Sequence, residues 1–133
     1  MRKYVVDTHA LLWFLSGSQQ LSVHARSILS SPESQLIIPA IVLAEAVWIT
    51  RNRKAPAVTS DSVVAAVHAD KRISVYQLDI AVVERTMRLD AITEMHDRQI
   101  VATALVLQEA GEEIALVTCD RNITASNLVP IAW

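Results

Sequence analysis

Cysteine occurs once in this chain, at Cys119, glycine twice and proline four times among 133 residues. A single cysteine excludes an intrachain disulfide and a zinc site built from cysteines. So few glycines and prolines argue against long flexible linkers, and no low-complexity tract or internal repeat interrupts the chain. Long uncharged apolar runs are missing as well. Met1-Arg2-Lys3 opens with two basic residues, but the apolar run behind them stops at Asp7, too soon for an export signal. No stretch reaches the roughly 20 apolar residues that a bilayer demands. These absences predict a soluble protein of the reducing cytoplasm with no membrane association, folded as one domain over residues 1–133. A basic surplus is also lacking. The net charge is −2, from 14 acidic and 12 basic side chains, whereas nucleic-acid binders usually run basic. With four acids committed to cations, 10 would face 12 basic groups, so distribution decides more than the total.

What the chain has in quantity is apolar side chains, 52% of its residues, ample for a core. Tyr4-Val5-Val6 reads as a first strand and His9–Leu15 as the start of a helix. Ser16–Gln20 reads as a loop, and Ser22 can cap a second helix through Leu29. Leu36–Ile38 is a second strand, stopped by Pro39. That proline suits the first turn of a helix over Ala40–Asn52. A further helix spans about Ser60–Asp70, then a strand Ile73–Tyr76, and Asp79 can cap a helix through about Leu89. His96 or Asp97 opens a longer helix that Gly111 closes. Ile114–Thr118 is the clearest strand, a short helix follows Asp120, and Val129-Pro130-Ile131 is a final edge strand. Alternation of helices with almost purely apolar strands predicts an α/β fold, a mostly parallel sheet covered by helices on both faces. Such sheets place their sites beyond the carboxyl ends of the strands.

Acids stand at those ends. Asp7 follows the first strand and Asp120 follows Ile114–Thr118; each reads equally as a helix N-cap and as a site residue. Glu45 is harder to accommodate, because every other residue from Ala40 to Ile49 is apolar. A helix apolar all round is buried, and a buried unpaired carboxylate costs several kcal/mol. A metal ion, a basic partner or protonation would relieve it; a narrow solvent-facing stripe is the alternative. Asp97 heads another apolar helix and alone would be read as its cap. Together the four can converge, and four crowded carboxylates need cations. An all-oxygen set suits Mg2+ or Mn2+. Such ions activate water and stabilise in-line displacement at phosphorus. Thr8 and Thr118 are supporting candidates, able to orient a carboxylate or a water; Thr118 and Asp120 fall on one side of an extended chain.

Four segments carry a family resemblance. They are Val5-Val6-Asp7-Thr8-His9-Ala10-Leu11-Leu12-Trp13, Pro39-Ala40-Ile41-Val42-Leu43-Ala44-Glu45, His96-Asp97-Arg98-Gln99-Ile100-Val101-Ala102-Thr103-Ala104-Leu105, and Leu116-Val117-Thr118-Cys119-Asp120-Arg121-Asn122. In this order and with these gaps they resemble the acidic motifs of PIN domains, VapC-type toxins above all. The resemblance covers the whole chain. It implies a PIN-like fold, metal-dependent ribonuclease activity with Asp7, Glu45, Asp97 and Asp120 as catalytic and metal-holding residues, an RNA substrate and usually a homodimer. It also implies a cognate antitoxin that blocks the site. A guanidinium matches a carboxylate cluster in charge and in shape, so the expected inhibitor is an antitoxin arginine. One departure stands out. Relatives with this opening often carry a longer His-x-Asp-Pro-Phe-Asp-Arg segment, where this chain has only His96-Asp97-Arg98. The acid survives, and the substrate-facing loop there differs.

Arg98 and Arg121 adjoin site acids and are candidates for substrate phosphate. Arg51, Arg53 and Lys54 form a basic run that serves either phosphate contact or the helix C-terminus. The four histidines lack a zinc spacing; His96 neighbours Asp97. Trp13, Phe14 and Trp48 can stack on bases or pack in a core or dimer. The apolar helices near Val63–Val67 and Val47–Ile49 are the candidate dimer surface. Two other functions compete. An aspartate-nucleophile phosphatase would usually carry a second acid two residues after Asp7, where His9 stands. A non-catalytic PIN-like module binding RNA or protein need not keep four acids.

Overall fold

Alternating strands and helices assemble here into one parallel sheet. The computed structural model describes residues 2–53 and 58–133. In chain order the elements are β1 (Lys3–Val6), α1 (Thr8–Ser16), α2 (Val23–Ser30), β2 (Gln35–Pro39), α3 (Ala40–Asn52) and α4 (Ser60–Ala69). They continue with β3 (Ile73–Tyr76), α5 (Ile80–Thr86), α6 (Met95–Glu109), β4 (Ile114–Val117), α7 (Arg121–Ser126) and β5 (Ile131–Ala132). The strand order is β3-β2-β1-β4-β5, every pair parallel. β1 and β4 are the central pair, in register Lys3 with Ile114 through Val6 with Val117. All four residues of β4 are buried, as expected of a central parallel strand covered on both faces. The core joins these strands to Leu11, Leu29, Val42, Ile92, Ile100 and Ile123 of the flanking segments.

The order places a topological switch between β1 and β4. From β1 the chain builds outward through β2 to β3, then returns to lay β4 on the other side of β1. The crossovers leaving these two strands diverge, which opens a crevice at their carboxyl ends. Asp7 continues the pairing one step beyond β1, its N–H donating to the Val117 carbonyl at 3.1 Å. Gly17 closes α1 in the left-handed conformation at φ 68°, so the turn after Ser16 is open to a residue without a Cβ.

Several expectations need correction. α3 is not buried all round: only Val42, Ala46 and Thr50 are buried, and Ala44 and Trp48 face outward. Small, apolar side chains let this helix sit in the outer layer, with a single stripe against the sheet. Pro39 ends β2 and occupies the N-cap of α3 rather than its first turn. α5 ends at Thr86, and the chain then turns so that Leu89 and Ile92 fill the core. α6 starts at Met95 with Glu94 as its N-cap, ahead of His96 and Asp97. The last strand is Ile131–Ala132 alone; Pro130 lends only its carbonyl, accepting from the Leu116 N–H at 2.8 Å. Val63 is in the core, so the Val63–Val67 stretch offers less open surface than its sequence suggests. More exposed apolar side chains lie at Leu78, Ile80, Val83 and Met87. Among the described residues no helix is long and apolar enough to cross a membrane.

Candidate active site

Each of the four acids is held by a different element around the crevice. Asp7 is the N-cap of α1, set by the end of β1, and is only 9% exposed. Its two carboxylate oxygens are both engaged: Oδ1 accepts from the Thr8 N–H at 2.6 Å and Oδ2 from the Thr118 hydroxyl at 2.6 Å. Burial pushes its pKa up, and these two hydrogen bonds oppose the rise. Thr118 also accepts from the Asp120 N–H at 3.0 Å. Asp120 caps α7, accepting from the Asn122 and Ile123 N–H groups through Oδ1. For Asp120 the capping role is therefore real, and it leaves Oδ2 available.

Glu45 comes from the second turn of α3. The Thr8 hydroxyl donates to its Oε1 at 2.5 Å, which ties α3 to the start of α1. Its Oε2 lies 3.3 Å from His96 Nδ1. Thus Thr8 joins Asp7 to Glu45, through its N–H to the one and its hydroxyl to the other, and the Thr118 hydroxyl joins the Asp7 carboxylate to the Asp120 backbone. Asp97 is the exception. It sits at the third position of α6, where Glu94 already caps: the Glu94 carboxylate accepts from the Asp97 N–H at 2.8 Å. The Asp97 side chain is released from capping, and among the described residues its carboxylate accepts no hydrogen bond and meets no cation. Its pKa is pushed up to about 7, first by burial and then by the charges of Asp120, Glu94, Asp7 and Glu45. All three other site acids thus act electrostatically on Asp97.

As they stand, no three His, Cys, Asp or Glu side chains among the described residues close around an ion-sized space. The donor chemistry nevertheless fits a hard divalent cation: carboxylate oxygens, no thiolate, and one carboxylate, that of Asp97, left without a hydrogen-bond partner among the described residues. Among the described residues the one basic group within ion-pair distance of any of these acids is His96, which lies beside Glu45 and also 3.7 Å from Glu94.

The arginines are placed less uniformly. The Arg98 guanidinium donates through Nε to the Ile92 carbonyl, bracing the loop ahead of α6. Arg121 is exposed at the first position of α7, beside Asp120. Arg51 and Arg53 are exposed at the far end of α3, at least six residues beyond Glu45, or about 9 Å along a helix axis. Lys54 lies outside the described residues. Glu94 escaped the sequence reading; its position three residues before Asp97 is the spacing of a side-chain cap, the one available signal. Two apolar walls flank the acids. On one side Trp13 packs against Trp133, ring centroids 6.0 Å apart, and against His9 at 5.5 Å. On the other stands Trp48, 67% exposed.

With this geometry in view, comparison with known proteins is informative. A family model described as PIN domain matches residues 4–126. No curated protein sequence matches the chain. Solved structures do. VapC20 of Mycobacterium tuberculosis, described as a sarcin-ricin loop cleaving toxin, is 16% identical with a TM-score of 0.69, over 98% of this chain and 99% of that one. VapBC2 of Rickettsia felis, bound to a DNA fragment from its promoter, is 14% identical with a TM-score of 0.68, over 97% and 96%. VapBC-1 of nontypeable Haemophilus influenzae is 14% identical with a TM-score of 0.67, also over 97% and 96%. At such identities the likeness establishes a common fold.

Proposed function

The chain belongs to the PIN domain family, and from that premise we propose that it is a divalent-metal-dependent endoribonuclease, the toxin of a toxin–antitoxin pair. The observation that carries this reading is Asp97, an acid that meets no cation among the described residues and whose pKa is pushed up to about 7, first by burial and then by the charges of Asp120, Glu94, Asp7 and Glu45. Structure-stabilising acids acquire basic partners; this one is set among acids, an arrangement that serves ion binding. The likeness to a toxin described as cleaving the sarcin-ricin loop supports RNA as the substrate class. The likeness to VapBC assemblies supports a cognate antitoxin.

In this reading Asp7, Glu45, Asp97 and Asp120 hold Mg2+ or Mn2+. When bound, the ion supplies positive charge to the phosphorane oxygens and acidifies water for attack at phosphorus. The chain's own residues do the positioning. Thr8 and Thr118 fix both oxygens of Asp7, Thr8 fixes Glu45, and the N-terminus of α7 fixes Asp120. Asp97, whose carboxylate no other group holds among the described residues, is the donor that completes the set. Arg121 and Arg98 neutralise substrate phosphate, with Arg51 and Arg53 further along the strand's path. Two chains pair through exposed apolar helix surface in the cytoplasm.

The test is cleavage of RNA by purified protein with Mg2+ or Mn2+. Cleavage is expected, lost in EDTA and lost in Asp7→Asn. Activity that persists through thorough chelation, or equal activity in the variant, would overturn the metal mechanism. Light scattering tests the dimer: a mass near twice 14.7 kDa is expected, and a clean monomer would refute the pairing.

A further inference from the structure

A shallow groove of about 400 Å³ borders the acid cluster, lined by Ile41, Ala44, Glu45, Trp48 and His96. Three features set it apart from ordinary surface. Trp48 is 67% exposed, whereas Trp13, on the other side of the acids, already packs against Trp133. Trp48 lies three residues after Glu45 on α3, so the two share a helix face about 4.5 Å apart along the axis. The inner end of the groove is made by Glu45 and His96, so whatever lies on the indole also abuts the acid cluster.

An occupant must therefore present a flat apolar face to Trp48 and carry, beside it, a group drawn to a cation-loaded carboxylate site. A nucleotide does both: its base has a π face and its phosphodiester is bonded through the sugar. Stacking on an indole tolerates any base, because every base has such a face. We infer that the Trp48 groove is a nucleobase subsite, holding an unpaired base next to the phosphodiester that is cut. The inference rests on the nuclease reading and sharpens it: the scissile position lies in a single strand or a loop, where a base is free to splay outward. His96 borders the same groove and offers a polar contact to the edge of the base.

The test is a fluorescence titration in the Asp97→Asn background, where RNA stays intact. The probes are a ten-nucleotide mixed-sequence single-stranded RNA and a ten-unit ribose-phosphate oligomer without bases. Trp48→Ala is expected to weaken RNA binding about 10-fold, and Trp48→Phe to stay within about 3-fold of the parent. The baseless oligomer is expected to bind parent and both variants alike. No loss in Trp48→Ala, or the same loss on both oligomers, would overturn the subsite. So would light scattering in which Trp48→Ala splits a dimer that the parent forms, since a second copy would then cover the groove. Failure of the underlying reading is recorded separately, by wild-type protein that cuts no RNA in Mg2+ whatever the titration shows.

Discussion

The two ends of the sheet treat acids in opposite ways. At the amino end three basic side chains beside strand starts are paired with acids: Arg2 with Glu113 at 3.1 Å, Lys3 with Glu112 at 3.1 Å and Arg72 with Asp70 at 2.7 Å. The Arg72 guanidinium holds the Asp70 carboxyl below its usual pKa, and its Nη1 also donates to the Leu29 and Ser31 carbonyls. At the carboxyl end four acids gather, and among the described residues no Lys or Arg pairs with any of them. Burial and like charge there lift Asp97 to about 7. One residue type, aspartate, is stabilising at one end and destabilising at the other. On the proposed function, the difference separates the end that serves the fold from the end that serves a ligand.

The largest effect expected from breaking this contrast is on cleavage. Asp97→Asn keeps the shape and removes the charge. It is expected to lower RNA cleavage on the order of 100-fold or more, with the near-UV circular dichroism unchanged. Arg72→Ala attacks the other end. It takes the guanidinium away from Asp70 and from the Leu29 and Ser31 carbonyls, leaving Asp70 only the backbone N–H of position 72 and Ser31 only the Ser34 N–H, at a cost of about 2 kcal/mol in stability, read as a lower urea midpoint. Cleavage is expected to be unchanged at temperatures where the variant is folded.

How far the contrast was visible beforehand depends on the range of the forces involved. β4 was legible because four consecutive apolar residues, Ile114–Val117, admit few alternatives. The limits of α3 were legible from Pro39 at one end and the polar Arg51-Asn52-Arg53 at the other. The placement of Asp7 and Asp120 at strand ends was legible from apolar runs that stop just before them, whereas the strand order that puts a switch between β1 and β4 was not. Local chemistry could not show that α3 lies in the outer layer, because burial depends on what packs opposite, and Ala44 and Trp48 look like core residues in sequence. Nor could it show that Glu94 takes over the capping of α6. Asp97 is a respectable cap on its own, and only the observed hydrogen bond from the Asp97 N–H to Glu94 reveals that its side chain is free. The convergence of Glu45, on α3, with His96, on α6, is tertiary and left no trace in spacing.

Smaller effects concern pH. The folded pKa of Asp97 lies above its unfolded value of 3.8. A raised acid destabilises the fold when ionised: the penalty is absent below about 3.8, grows as pH rises, and is complete above about 7. Asp97→Asn is therefore expected to be more stable than wild type at pH 8, by about 1 kcal/mol after allowing for solvent screening, and equal to it at pH 3.5. A flat difference across that range, measured by urea denaturation, would remove the electrostatic pressure on Asp97. Asp70 has the opposite sign. Its lowered pKa stabilises the fold above 3.8, and that contribution is lost as pH falls through the folded value. The smallest effect is expected of Arg2→Ala, whose pair with Glu113 is solvent-exposed, at no more than about 0.5 kcal/mol.

The claim that the carboxyl end is built for a divalent cation is tested most directly by calorimetric titration of Mn2+ into metal-free protein at pH 6.5. Wild type is expected to bind the ion with release of protons, because Asp97 is partly protonated there. Asp97→Asn is expected to bind at least 10-fold more weakly and to release fewer protons. Equal affinity and equal proton release in the two proteins would contradict the claim.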